Sequence, residues 1–117
     1  MKTEAQVEAD LDNLSKKRGR TPEGAVKADV KAILDRHGVW YWMAVKMIFG
    51  KSGLPDFICC AWGYFLAIET KAKGGKPTAL QTIVLNAITK AGGGSLVINE
   101  HNLSELETWL KKHRNTR

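Results

Sequence analysis

Asp56, Glu69 and Lys71 are the residues of this chain whose types and spacing point to chemistry. Glu69 and Lys71 stand two apart in the run Ala67-Ile-Glu-Thr-Lys71, so on a strand both side chains leave the same face. If the chain turns at Trp62-Gly63, which lies midway between them, Asp56 falls opposite Glu69, with Cβ atoms about 5 Å apart. Two carboxylates held that close repel each other. A magnesium ion removes the conflict, because it takes a few carboxylate oxygens, keeps several waters and leaves room for a substrate phosphate. Such an ion lowers the pKa of water, orients it and offsets charge on a leaving oxygen. Lys71 beside it would either position the attacking water or stabilise the negative charge of the transition state.

A Glu-X-Lys pair is also what a solvated strand face looks like. The flank argues otherwise: Tyr64-Phe-Leu-Ala-Ile, ahead of Glu69, has the character of a central strand buried on both sides. Charges leaving the end of such a strand need partners, and Asp56 and a metal are the nearest candidates.

The elements that must position these residues are legible in outline. Residues 3–14 predict a short helix with Val7, Leu11 and Leu14 on a thin stripe that must dock on the domain or on a second copy. Ser15 to Arg20 reads as a basic linker, so residues 1–20 divide from a domain over 21–117. Thr21 as N-cap, Pro22 at the first position and Glu23 in the first turn open a second helix. Val26, Val30, Ile33, Leu34 and His37 follow at helical spacing, and Gly38 stops it. At about 100° per residue Glu23 lines up with Val30 and Leu34, so an acid sits at the tip of the buried stripe.

Val39-Trp-Tyr-Trp-Met-Ala-Val predicts a strand, and alternation is expected to bury at least one tryptophan, as core or dimer contact rather than as a base-stacking platform. Gly50 to Pro55 is a loop, Phe57 to Ala61 and Tyr64 to Thr70 are strands of a hairpin, and Lys73-Gly-Gly-Lys-Pro is a second loop. A helix opened by Pro77 or Thr78 runs to about Ala91, with Leu80, Val84, Ala87 and Ala91 as its expected core face. Leu96-Val-Ile is a short strand. Asn102 with Glu105 predicts a capping box, and the last helix turns Leu103, Leu106, Trp109 and Leu110 inward. The order α–α–β–β–β–α–β–α gives a mixed α/β architecture with helices packed over the sheet.

At 117 residues, 44% hydrophobic and 26% charged, the chain suits one compact domain. No apolar run is long enough to span a bilayer and the first residues carry no signal-peptide core, so the expected setting is the cytoplasm, with no membrane partner. Cys59 and Cys60 are adjacent and badly placed to pair; both read as small buried hydrophobes. His37, His101 and His113 show no metal-ligand spacing. The net charge of +6 is clustered in Lys16-Lys17-Arg18-Gly-Arg20, in Lys71, Lys73 and Lys76, and in Lys111, Lys112, Arg114 and Arg117. Clustered cations suit a polyanion, since each phosphate contact releases counterions. Lys51, Lys73 and Lys76 flank the expected site in loops and are candidates to hold nucleic-acid phosphates, although solvated surface charge looks the same.

The ordered set Glu23, Gly53-Leu-Pro-Asp56, Ile68-Glu69-Thr70-Lys71, a Gly/Lys-rich turn and Pro77-Thr-Ala-Leu-Gln81 resembles the PD-(D/E)XK nucleases. Within them it is most similar to the virus-type replication-repair nuclease (VRR-Nuc) domain, over residues 22–98. The resemblance implies a restriction-endonuclease-like core, a mixed central sheet flanked by helices. It implies that Asp56, Glu69 and Glu23 bind or position Mg²⁺ or Mn²⁺, with the Thr70 carbonyl as a further ligand. Lys71 would be the catalytic lysine, and Gln81 would stabilise the site or contact the DNA backbone. Thr70 stands where many members carry Val, and its side chain is expected to face away from the metal. Stand-alone short members of the family form homodimers that cut branched DNA such as four-way (Holliday) junctions. The implied role is DNA repair in a bacterial or phage-infected cell.

Two other readings compete. One is a non-catalytic nucleic-acid-binding module whose acids form a structural ion-pair cluster, although such a module has no need of Glu23, Asp56 and Glu69 together. The other is a restriction-type or exonucleolytic nuclease, for which no sequence-reading insertion is visible.

Overall fold

The computed structural model describes residues 3–7, 21–44 and 53–116. Helix α1 (Pro22–Arg36) leads into β1 (Trp40–Met43), β2 (Phe57–Ala61) and β3 (Tyr64–Thr70); then come α2 (Ala79–Lys90), β4 (Gly94–Ile98) and α3 (Leu103–Asn115). Residues 4–7 form a helical turn where the sequence predicts a helix. The rest of that helix, the basic linker and Lys51 lie outside the described residues.

The four strands run in the order β1-β2-β3-β4. The first two pairings are antiparallel, and β3 pairs with β4 in parallel through the α2 crossover. The β2–β3 hairpin turns at Trp62 (φ 52°) and Gly63 (φ 85°), two left-handed residues that match a type I′ turn. A positive φ is costly for a bulky residue. Here the Trp62 ring packs against the core and lies under the Arg114 guanidinium, 5.8 Å from its centroid, a cation–π contact that helps to hold it. With this turn, Ala61 pairs with Tyr64 and Phe57 with Ile68, the register expected from the sequence.

One sheet face carries Phe57, Cys59, Ala61, Leu66, Ile68 and Ile98, packed against Val26, Val30, Ile33 and Leu34 of α1 and Leu106 and Leu110 of α3. Glu107 of α3 ties the two helices together by taking both Arg36 and His37 Nε2, the latter at 2.9 Å. Helix α2 lies on the other face: a Cβ built on Gly93 would meet Ile88 Cγ2 at 2.9 Å and Phe65 Cδ1 at 3.2 Å. The sheet is therefore enclosed by helices on both sides, as expected for an α/β architecture.

Several local expectations are corrected. The inward residues of α2 are Gln81 and Leu85, whereas Leu80 is 48% exposed. The helix is turned by about one residue, or about 100°, because the end of β3 offers buried Gln81 a charged partner. Trp40 and Trp42 are both exposed and Tyr41 turns inward onto Phe57, since residues two apart on a strand share a face. By the same alternation Cys59 is buried and Cys60 exposed. Asn102 caps α3 without the predicted box: its Oδ1 accepts from Asn99 N–H and its Nδ2 donates to Val97 O and Glu105 Oε2.

Candidate active site

Helix α1 brings Glu23 to its first turn by the cap that Thr21 provides: Thr21 Oγ1 accepts from Gly24 N–H at 3.0 Å. Val26, Val30 and Leu34 then fix the helix rotation by burial, which points Glu23 at the sheet. Asp56 is placed by the segment that leads into β2. Gly53 there has no room for a side chain, since a Cβ would fall 2.7 Å from Leu80 Cγ and 2.9 Å from Val84 Cγ2. Pro55 is fully buried, and Asp56 O accepts from Ala44 N–H at 3.1 Å. Continuing the hairpin register by one step sets Asp56 opposite Glu69.

These three acids come from a helix, a strand entry and a strand end, and their ligand atoms all lie within 4.8 Å of one another. Asp56 is 4% and Glu69 1% exposed, so the cluster is rooted in the protein interior. Burying charge without a partner is costly, and the partners are specific. Glu69 Oε2 accepts from Gln81 Nε2 at 2.9 Å and lies 3.3 Å from Lys71 Nζ. Asp56 Oδ2 accepts from both Thr70 N–H (2.8 Å) and Thr70 Oγ1 (2.6 Å), while Asp56 Oδ1 lies 3.7 Å from Lys27 Nζ.

Two features were not foreseen. The Thr70 side chain is expected from sequence to face away from the site without consequence, yet its hydroxyl holds Asp56. Lys27 escaped notice altogether; its position four residues after Glu23, hence on the same helix face, is the signal that would have found it.

Beside the acids a cleft of about 450 Å³ is lined by Thr21, Pro22, Glu23, Lys71, Ala72, Lys73, Gly75 and Lys76. The loop below it turns at Lys73 (φ 52°) and Gly74 (φ 75°), and Lys73 N–H donates to the Glu100 carboxylate. One acid of the cluster, Glu23, thus opens onto the cleft, whose rim is cationic. Of the nucleic-acid candidates, Lys73 and Lys76 lie on this rim and are exposed.

The donor set is three carboxylates and no sulfur or imidazole. That suits a hard cation such as Mg²⁺ or Mn²⁺ and not a structural zinc site.

The fold is thus an α/β one, a four-stranded mixed sheet flanked by helices, with an acidic cluster and a lysine at one end of its central hairpin. A solved structure described as a VRR_NUC domain is similar to this chain with a TM-score of 0.64 and 21% sequence identity, covering 79% of this chain and 97% of that one. The likeness bears out the fold that the motifs lead one to expect. No family model matches the sequence, and no curated protein matches it.

Proposed function

We propose that this chain is a Mg²⁺- or Mn²⁺-dependent endodeoxyribonuclease that hydrolyses phosphodiester bonds at branched DNA such as four-way junctions. The observation that carries the reading is the convergence of Glu23, Asp56 and Glu69 oxygens within 4.8 Å, with Lys71 Nζ 3.3 Å from Glu69. A purely structural cluster gains little from gathering three acids, two of them buried, since apolar residues in place of buried ionic groups are often neutral or stabilising.

In this reading Glu23, Asp56 and Glu69 hold the cation, with the Thr70 carbonyl as a further ligand. Bound there, the ion supplies a Lewis acid for the phosphoryl oxygen and makes water a better nucleophile. Lys71, on the same strand face as Glu69, reaches into the cleft and offsets the negative charge that grows on the phosphate. Gln81 fixes the Glu69 carboxylate. Lys73 and Lys76 on the rim hold flanking phosphates and set the strand in register with the acids, and Lys51 is a further candidate from the sequence.

The preference for branched DNA follows from the family resemblance, and so does a homodimer working in the cytoplasm of a bacterial or phage-infected cell. The dimer has support of its own in the exposed apolar surface of the edge strand, where Trp40 is 65% and Trp42 50% exposed. Among the described residues no helix is long and apolar enough to cross a membrane.

The test is cleavage of a synthetic four-way junction with Mg²⁺ or Mn²⁺, alongside flap, single-stranded and linear duplex substrates. Lys71→Ala is expected to abolish cleavage and to keep junction binding. Equal cleavage by the wild type and Lys71→Ala would refute the assignment, and binding without cleavage by the wild type would favour the non-catalytic module.

A further inference from the structure

The two oxygens of Asp56 have different surroundings. Oδ2 takes two hydrogen bonds from one residue, the backbone N–H of Thr70 at 2.8 Å and its hydroxyl at 2.6 Å. Oδ1 is turned toward Lys27 Nζ, 3.7 Å away. Short O–H···O⁻ bonds to an ionised carboxylate are among the stronger hydrogen bonds in proteins. Thr70 is fully buried, and its branched Cβ restricts the rotation that aims the hydroxyl. A carboxylate by itself rotates freely about its last torsion. Two donors fixed on one strand residue remove that freedom.

We propose that the Thr70 hydroxyl is a positioning group that aims the Asp56 carboxylate, so that Oδ1 and not Oδ2 is the oxygen Asp56 offers to a divalent cation. The inference rests on the metal-dependent reading above and adds to it a role for a side chain on the strand face opposite Glu69 and Lys71. Lys27 Nζ, 3.7 Å from Oδ1, marks Oδ1 as the oxygen turned toward positive charge. A valine at position 70 would keep the backbone N–H bond, the volume and the strand preference, and would lose the aim.

The experiment is Mn²⁺ titration by calorimetry on the full chain without DNA, with Thr70→Val and Thr70→Ser. The expected result is a Kd raised about tenfold in Thr70→Val, the usual size of an outer hydrogen bond to a metal ligand. Thr70→Ser, which keeps the hydroxyl, is expected to restore an affinity near that of the wild type. In junction cleavage the half-saturating Mn²⁺ concentration should rise in parallel for Thr70→Val. Equal Mn²⁺ affinity in wild type and Thr70→Val overturns the inference alone, and so does an equal loss in Thr70→Ser and Thr70→Val. A wild type that takes up no Mn²⁺ overturns the proposed function and this inference with it. If Thr70→Val does not fold by circular dichroism, Thr70→Ser against Thr70→Ala carries the same comparison, and equal affinities there overturn it.

Discussion

Gln81 Nε2 donates to Glu69 Oε2 at 2.9 Å, while the other end of the same amide, Oε1, accepts from Thr78 N–H at 2.9 Å. Thr78 Oγ1 in turn accepts from Gln81 N–H, so the capping box of α2 decides which end of the amide faces the acid. The start of a helix and the orientation of a candidate metal ligand are thus set by one side chain.

Gln81→Leu should therefore be felt twice. Loss of half the capping box and of a donor to a charged group is expected to lower unfolding free energy by about 1–3 kcal/mol. Mn²⁺ affinity should fall about 10- to 100-fold as Glu69 loses its orientation. Denaturant titration and calorimetry measure the two separately, and an unchanged Mn²⁺ affinity would confine Gln81 to a helix-capping role.

Divalent metal should stabilise the fold. With Mn²⁺ at about a hundred times its Kd, unfolding free energy should rise by about 2.7 kcal/mol, and chelation with EDTA should remove the gain. Glu23→Gln should shrink this shift at the same Mn²⁺ concentration, and a melting shift equal to that of the wild type would take Glu23 out of the ligand set.

Gly53→Ala tests the close approach that sets Asp56. Its Cβ would fall within 3.0 Å of Leu80 Cγ, Val84 Cγ2 and the Leu80 carbonyl oxygen. Because a carbonyl cannot swing aside as a side-chain tip can, a loss of about 1–3 kcal/mol is expected. Thermal melting reads it, and an alanine variant as stable as the wild type would contradict the packing described.

The adjacent thiols should behave differently. Burial, with a smaller contribution from the neighbouring Cys60, pushes the Cys59 thiol up to about 12, whereas Cys60 is exposed. Only the thiolate is reactive. At pH 8 the folded protein should take up one equivalent of a thiol reagent quickly, and Cys60→Ser should abolish that phase. Two fast equivalents in the native state would be inconsistent with this arrangement.

The exposed tryptophans bear on assembly. Replacing Trp40 and Trp42 by Lys should change unfolding free energy only slightly, as expected for surface positions. In sedimentation the same pair of changes should shift the protein toward monomer. A wild type that is monomeric at every concentration would remove the dimer from the proposal.

Much of the fold is legible in the sequence because its signals are local. Thr21-Pro22 announces α1, and Trp62-Gly63 announces a two-residue turn whose register follows by counting. Where the prediction went astray, a tertiary partner outweighed the local pattern. Leu80 looks like a core residue until Glu69 at the sheet end draws Gln81 inward. Asn102 and Glu105 have the spacing of a capping box, but the end of β4 claims the Asn102 amide first. The acids of the candidate site could be paired on paper from strand period and turn position. Lys27 could have been set near Glu23 by its spacing of four, but the Thr70 hydroxyl could not be paired, because its partner lies in another element and only folding sets the direction of approach.

The type I′ turn at Trp62-Gly63 has a consequence far from where it sits. Five residues on each strand, roughly 20 Å, separate it from the acids, yet it counts out which residue of β2 meets which residue of β3. Side chains alternate with a period of two, so a slip of one residue in the pairing it sets would swap every inward side chain of a strand for its outward neighbour. Asp56 would then confront a different partner, although nothing near it had been altered. The hairpin works as a ruler whose zero mark is at the opposite end of the sheet, and a length change there should disable the site as surely as losing an acid.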